Sequence, residues 1–334
     1  MSKSSNIPID AVITWVDGED PVHMTKMSKA LKGMARKHIP GAEKTRFGNA
    51  NELQYSILSI LTFAPFVRYI FIVTDEQTPA IDEIVQEYFP QRWKDIRIID
   101  HRELFRDHLE YLPTFNSRSI EAMLWKIKDI SEHFFFLSDD MFLIRPTKPT
   151  DFFVADQPVM RGTWLLRPVL RNIWNQLRTY YHHQLVSNKS FQPKPSFHVG
   201  QWNAAHLLGF QSRYFFSSHT PHTVKKSLVE NYFNENPEIL INQIKHPFRH
   251  NDQFNCAAFY YHLSINNGNK EFAKPSFVFL HPFGRKNGYI DRKLKKAEEN
   301  SNAIFMNIQS LELCTADEQQ QIIQWMKGNL SLTE

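Results

Sequence analysis

The chain has 334 residues, 42% hydrophobic and 22% charged, enough to bury a full core as one large or two modest domains. A formal net charge of +4 and a pI near 8.9 suit anionic substrates or a membrane surface, while no basic run or base-stacking module supports nucleic-acid binding. Cys256 and Cys314 stand far apart without CxxC spacing, which speaks against a disulfide framework and a zinc site; Met1 to Pro8 holds no apolar signal region and no apolar run approaches the roughly 18 residues that span a bilayer, so a cytoplasmic protein is expected.

The run Ile9 to Val16 predicts a first strand, ended by the turn signal Asp17-Gly18-Glu19-Asp20-Pro21. Asn51 or a neighbour caps a helix through Leu53, Ile57, Leu58 and Leu61, which Ala64-Pro65 stops. A strand over Tyr69 to Thr74, a turn at Asp75 to Pro79, a helix over Ala80 to Tyr88, a strand over Ile96 to Ile99 and a helix over Ser117 to Ile127 follow. Alternation of this kind implies right-handed βαβ units and a twisted, mainly parallel Rossmann-type α/β sheet. No G-x-G-x-x-G or G-x-x-x-x-G-K is present, so a bound diphosphate would need a metal and cationic side chains in place of a glycine-rich cradle.

The strand Phe134 to Leu137 then delivers Asp139-Asp140, with a second apolar run, Met141 to Ile144, directly behind. Adjacent carboxylates repel, and burial disfavours both unless they are paired, hydrogen-bonded or on a metal. Oxygen ligands at the end of a strand suit Mg2+ or Mn2+ shared with a diphosphate. The alternative is an acidic turn between strands.

The second half is less regular. Residues 147–218 read as an insertion or lid with a helix around Leu166 to His183, through which Arg161, Arg167, Arg171 and Arg178 are distributed; these face either phosphate or solvent. His219-Thr220-Pro221-His222 offers two imidazoles as candidate general bases, or a structural H-x-x-H. Arg249-His250-Asn251-Asp252-Gln253 precedes an apolar run, Phe254 to His262. Arg249 can clamp a phosphate and Asp252 can bind metal or orient a histidine; alternatively Asn251 or Asp252 caps the helix and pairs with Arg249. In the tail, residues 311–334, Ile322, Ile323, Trp325, Met326 and Leu330 share one helix face, suited to a membrane surface or to the protein's own core.

Together these stretches resemble the Stealth proteins, a family of hexose-1-phosphate transferases. The resemblance rests on four regions in order: Ile9 to Gly18; Arg46-Phe47 through Glu52-Leu53-Gln54-Tyr55-Ser56, Ala64 to Arg68, Ile70 to Thr74, His101-Arg102 and Leu112 to Ser117 to Asp139-Asp140; His219 to His222; and Arg249-His250 with Asp252. It implies a GT-A-like fold with residues 1–146 as the nucleotide-sugar half, 147–218 as the lid and 219–310 as the remainder of the catalytic domain. It further implies transfer of a sugar with its phosphate from a UDP-sugar to a glycan, with conventional GT-A glycosyl transfer or non-catalytic UDP-sugar binding as the alternatives.

Carried over to these positions, the resemblance implies Trp15, Asp17, Gly18, Arg46, Asn49, Glu52, Asn116 and Ser117 at the nucleotide sugar. It puts Asp139, Asp140 and Asp252 on Mg2+ or Mn2+, His222 or His219 as base, and Arg249 on the phosphate. The acceptor it implies is a lipid-linked glycan at the cytosolic face of a bacterial membrane. One departure stands out: Asn49-Ala50 replaces the usual Asp-Asn, so a carboxylate is missing there.

Overall fold

The computed structural model describes residues 7–32, 39, 42, 52–187, 193, 196–282, 284–286 and 288–332; Arg46, Asn49 and Asn51 lie outside them. Strand β1 (Ile9–Thr14) opens the chain. Helix α1 (Pro21–Leu31) starts where the Asp20 carboxylate accepts the His23 N–H at 2.7 Å and Pro21 fills the first turn, where a missing N–H costs nothing. Then come α2 (Glu52–Phe63), β2 (Val67–Thr74), α3 (Asp82–Tyr88), β3 (Ile96–Asp100), α4 (His101–Leu104), α5 (Ser117–Glu121) and β4 (His133–Ser138). The helix expected over Ser117 to Ile127 is shorter: α5 gives way to a 3-10 turn at Leu124–Lys126. Ala122, Met123, Leu124, Trp125 and Ile127 are all buried there, with Trp125 Nε1 donating to the Ala122 carbonyl at 3.0 Å.

The chain continues through β5 (Met141–Leu143), β6 (Phe153–Val154), β7 (Gln157–Pro158), β8 (Met160–Leu166), α6 (Val169–Gln184), α7 (Phe197–Leu207), β9 (Arg213–Ser217) and β10 (His222–Lys225). It closes with α8 (Lys226–Glu235), α9 (Pro237–Ile244), α10 (Cys256–Asn266), β11 (Phe272–Ala273), β12 (Phe277–Leu280), α11 (Tyr289–Glu299), β13 (Phe305–Ile308) and α12 (Ala316–Asn329). Asn255 caps α10 by accepting the Ala258 N–H at 2.9 Å, so the cap expected at Asn251 or Asp252 lies further along.

The central sheet runs β10-β4-β1-β2-β3. Its four inner pairings are parallel apart from β10, which lies antiparallel to β4. Both faces are covered, which is why the strands read as unbroken apolar runs. Ala11, Ile13, Ile70, Ile72, Phe135 and Leu137 point to one core. Val12, Phe71, Val73, Phe134 and Phe136 point to the other. At the opposite rim from the strand C-termini, buried Asp10 ties three strands together: it accepts from Arg68 Nε at 3.0 Å and Nη2 at 2.7 Å, from the Tyr69 N–H at 3.2 Å and from the Ser131 N–H at 2.7 Å.

Strand β5 belongs to another sheet, β12-β13-β5. Asp139-Asp140 therefore marks the point where the chain leaves one sheet for the next. A third sheet, β11-β8-β9, forms within and beside residues 147–218. Arg161 there is buried, donating to the Asp151 carbonyl at 2.6 Å with its guanidinium 5.1 Å from the Phe305 ring centre; it faces neither phosphate nor solvent. The tail docks on the core: Ile322, Met326 and Leu330 of the α12 region are buried with β5 and β13, behind a Thr315–Glu318 capping box.

Candidate active site

Parallel pairing of Thr14 with Ser138 brings the loops after β1 and β4 to one edge of the sheet. At that edge the Asp139 carboxyl is held well above the usual carboxylate range, first by burial and then by the charges of Asp140 and Glu52. Asp140 accepts from the Ser138 hydroxyl, and its Oδ2 lies 4.0 Å from His219 Nε2. The Asp140 carbonyl receives the Ile308 N–H at 2.9 Å and Asn307 Nδ2 at 3.2 Å. Asn307 Oδ1 and Glu312 Oε1 are buried without a hydrogen-bond partner among the described residues. Burial, with the Asp140 charge adding to it, also raises the Glu312 carboxyl.

A group of oxygen donors that repel each other is what a hard divalent cation relieves. The Asp139 and Asp140 carboxylates thus offer the kind of oxygen ligand that Mg2+ or Mn2+ takes, and Asn307 and Glu312, which the sequence reading missed, present buried oxygens on the Asp140 side. No local signal marks those two: they sit some 170 residues downstream and reach Asp140 only through the β13–β5 pairing. Asp252 groups with two histidines. Among the described residues the only three ligand groups drawn within 4.8 Å of one another are His246, His250 and Asp252, and Asp252 Oδ2 lies 3.3 Å from His250 Nδ1.

His222 begins β10 opposite Phe136, three residues before Asp139. Its ring is buried against Phe136 and Tyr261, with centroids at 5.1 and 5.9 Å. Its Nδ1 is buried and has no hydrogen-bond partner among the described residues. Burial, with a small push from His219, drops its pKa to about 3. The imidazole is therefore neutral at neutral pH, with its lone pair available.

Asn116, Ser117 and Arg249 come together although 132 residues separate the last two. Arg249 Nη2 donates to the Ser117 hydroxyl at 2.8 Å. Asn116 is fully buried, donating to the His246 carbonyl at 3.0 Å and Gln253 Oε1 at 2.9 Å while accepting the Arg118 N–H. Glu121, another residue missed from the sequence, belongs to this group: burial pushes its carboxyl up to about 7, against the opposing charges of Arg249 and Arg118.

The loop after β1 is fastened to the loop after β2, Gln77 accepting the Asp17 N–H and donating to the Asp17 carbonyl, both at 2.9 Å. Gly18 is buried in that loop and Trp15 Nε1 is buried without a partner among the described residues. Next to it, Asp75 bonds Lys26 Nζ at 2.9 Å and lies 3.6 Å from His23. Although burial works against it, hydrogen bonding to His23 and Lys26 and the Lys26 charge hold the Asp75 carboxyl down at about 2. His23 packs edge-on against Phe115, which stacks on Phe248 at 5.4 Å and so links the β1 loop to the Arg249 group.

Comparison with known families places these groups. The family model for Stealth protein CR1, conserved region 1, matches residues 8–35, and that for CR2, conserved region 2, matches residues 46–160. Over these two regions the chain is similar to the Stealth family. Trp15, Asp17 and Gly18 fall in the first Stealth region, and Glu52, Asn116, Ser117, Asp139 and Asp140 in the second. His219, His222 and Arg249 lie beyond both.

Among relatives, the chain is 47% identical over 149 residues to exopolysaccharide phosphotransferase SCO6021 of Streptomyces coelicolor, covering 45% of this chain and 26% of that protein. It is 44% identical over 147 residues to capsular polysaccharide phosphotransferase fcs1 of Haemophilus influenzae, covering 44% and 38%. With exopolysaccharide phosphotransferase SCO6023 of Streptomyces coelicolor it shares 34% identity over 235 residues, 69% of this chain and 35% of that protein. The matches thus span a quarter to two fifths of these relatives' own lengths. Among solved structures, the galactosyltransferase LgtC superposes at a TM-score of 0.46 with 11% identity, covering 97% of both chains. The fold assignment itself rests on the strand order given above.

Proposed function

We propose that this chain transfers hexose-1-phosphate from a UDP-sugar to a hydroxyl of a glycan acceptor and releases UMP. The observation that carries this reading is His222: a buried, neutral imidazole whose Nδ1 has no partner among the described residues, on the strand beside Asp139-Asp140. A buried ring nitrogen left unpaired costs stability unless substrate completes it. The names of the exopolysaccharide and capsular polysaccharide phosphotransferases point the same way.

In this reading the acceptor oxygen attacks the phosphorus attached to the sugar. The new O–P bond forms as the bond to the bridging oxygen breaks, and UMP departs with the bonding pair. His222 takes the hydroxyl proton. Its pKa of about 3 belongs to the site without substrate, and an anionic diphosphate beside it raises its basicity. Arg249, held by Ser117, meets the charge that develops on the phosphoryl oxygens. Mg2+ or Mn2+, when bound by Asp139 and Asp140, supplies neutralisation of the diphosphate charge. Trp15, Asp17 and Gly18 form one wall for the nucleotide sugar, and Glu52 and Asn116 order the other. The sugar C1–O bond stays intact, so the anomeric configuration is retained. A lipid-linked glycan at the cytosolic membrane face is the acceptor this reading assigns.

The test is to incubate the purified chain with Mg2+, a panel of UDP-sugars and bacterial membrane extract, and to identify the nucleotide released. UMP dependent on one sugar and on acceptor supports the reading. UDP would make the protein a conventional glycosyltransferase, and binding without turnover would make it a UDP-sugar-binding protein.

A further inference from the structure

Helix α6 is amphipathic, but it is mounted inside out. Its polar side, Asn172, Asn175, Thr179, His182 and His183, is half-buried toward the protein. Its apolar side faces solvent: Leu170 is 82% exposed, Trp174 66%, Leu177 58% and Tyr180 64%, with Ile173 and Tyr181 beside them. At 100° per residue these six occupy one continuous arc, and Leu166 and Leu185 extend it at either end, both exposed. No residue of the helix is fully buried. Six large apolar side chains on one arc are unlike the scattered surface apolar residues of an ordinary domain, and a contiguous exposed patch of this kind marks an interaction face.

Charge identifies the occupant. From residue 157 to residue 229 the sequence contains no Asp or Glu; its cations there, apart from buried Arg161 and Lys225, which pairs with Asp156, are Arg167, Arg171, Arg178, Lys189, Lys194, Arg213 and Lys226. Arg171 and Arg178 flank the apolar arc on α6 itself, and Arg167 lies just before it. Leucine and tryptophan on one arc with arginine along its margin is the composition of a helix that lies in a bilayer interface, its apolar side in the acyl boundary and its cations among the headgroups. Tyr180 and Tyr181 add amphipathic rings suited to headgroup depth.

We infer that α6 is a membrane-docking element, inserting Leu170, Ile173, Trp174, Leu177, Tyr180 and Tyr181 into the surface of a bilayer rich in anionic lipid. The inference stands apart from the catalytic reading, since none of these residues is assigned to the site. Flotation of the full chain with phosphatidylcholine vesicles, with and without phosphatidylglycerol, tests it. The wild type should float with the anionic vesicles, and less so in high salt. A Leu170→Glu/Trp174→Glu/Leu177→Glu variant should bind about tenfold more weakly or worse, because three apolar anchors are replaced by carboxylates. These side chains point to solvent, so the circular dichroism spectrum should be unchanged. Lipids brominated in the acyl chain should quench the wild type's tryptophan fluorescence more than that of Trp174→Phe. No flotation of the wild type, equal flotation of the triple variant, or equal binding to uncharged vesicles would overturn the inference. So would a wild-type dimer that the triple variant converts to monomer while neither floats, because the arc would then be an interface between two copies.

Discussion

Acidification should destabilise this fold through His262, whose surroundings admit only the neutral ring. The side chain is fully buried on α10, with Nδ1 2.6 Å from the Ala258 carbonyl and Nε2 accepting the Phe215 N–H of β9 at 2.9 Å. Nδ1 therefore carries the proton. A second proton on Nε2 would face the Phe215 N–H and break that bond. Burial dominates and lowers the pKa to about 4, although the Ala258 bond opposes it. The unfolded chain has an ordinary histidine near 6.5.

Between those two values the unfolded state binds one more proton than the native state, so stability falls as pH drops below 6.5 and the loss is complete below about 4. The slope is about 1.4 kcal/mol per pH unit, giving about 2 kcal/mol by pH 5 and about 3 kcal/mol in all. That is a sizeable share of a total stability of roughly 5–15 kcal/mol. Urea unfolding of the wild type and His262→Gln at several pH values from 7.5 to 4.5 reads it. The variant is less stable at pH 7.5, and its deficit should shrink by about 2 kcal/mol between pH 6.5 and 5, since glutamine does not titrate. Taking the difference cancels opposing groups such as Glu121, whose raised carboxyl stabilises the fold on mild acidification. A deficit that stays constant across that range would refute the argument.

Three substitutions test the site and its frame. Asp140→Asn keeps the shape beside Ser138 but removes the charge, and should cut turnover by about a thousandfold or more with an unchanged circular dichroism spectrum; full activity would remove Asp140 from the chemistry. His222→Gln should lower kcat by about a hundredfold to ten-thousandfold with KM nearly kept, and a change under about twofold would exclude His222 as the base. Asp10→Ala removes the carboxylate from Arg68, which keeps the Asp129 carbonyl, and leaves the Tyr69 and Ser131 N–H groups without that acceptor, at a cost of about 1–3 kcal/mol for each unpaired buried N–H in urea unfolding; turnover per folded molecule should not change, because Asp10 lies at the far rim.

Much of the site's first half is legible in the sequence because its residues stand at strand ends. Apolar runs of strand length locate β1, β2 and β4, and each is followed by its acidic loop: Asp17, Asp75 and Asp139-Asp140. The α5 segment misleads, because a run that is buried all round carries no helical period to read. Arg161 misleads in a different way. A cation in a loop-rich stretch reads as solvated, yet it packs over Phe305 from a strand 144 positions later in the numbering. The partners of Asp140 in β13 and the nearby Glu312, and the near-neutral carboxyl of Glu121, leave no trace in local spacing.

The sequence by itself determined the alternation of strands and helices, the carboxylate pair between two apolar runs and the regions similar to the Stealth family, because each is a contiguous stretch whose meaning lies in its own spacing. Only the tertiary structure decided that Arg249 meets Ser117, that Asp252 joins His246 and His250, that His222 sits neutral beside the Asp139-Asp140 turn, and that α6 shows its apolar arc to solvent. Helical spacing reveals that a helix has two faces. Which face turns outward, and how far a buried group's proton affinity moves, depend on segments distant in sequence that supply or withhold contacts, charges and water.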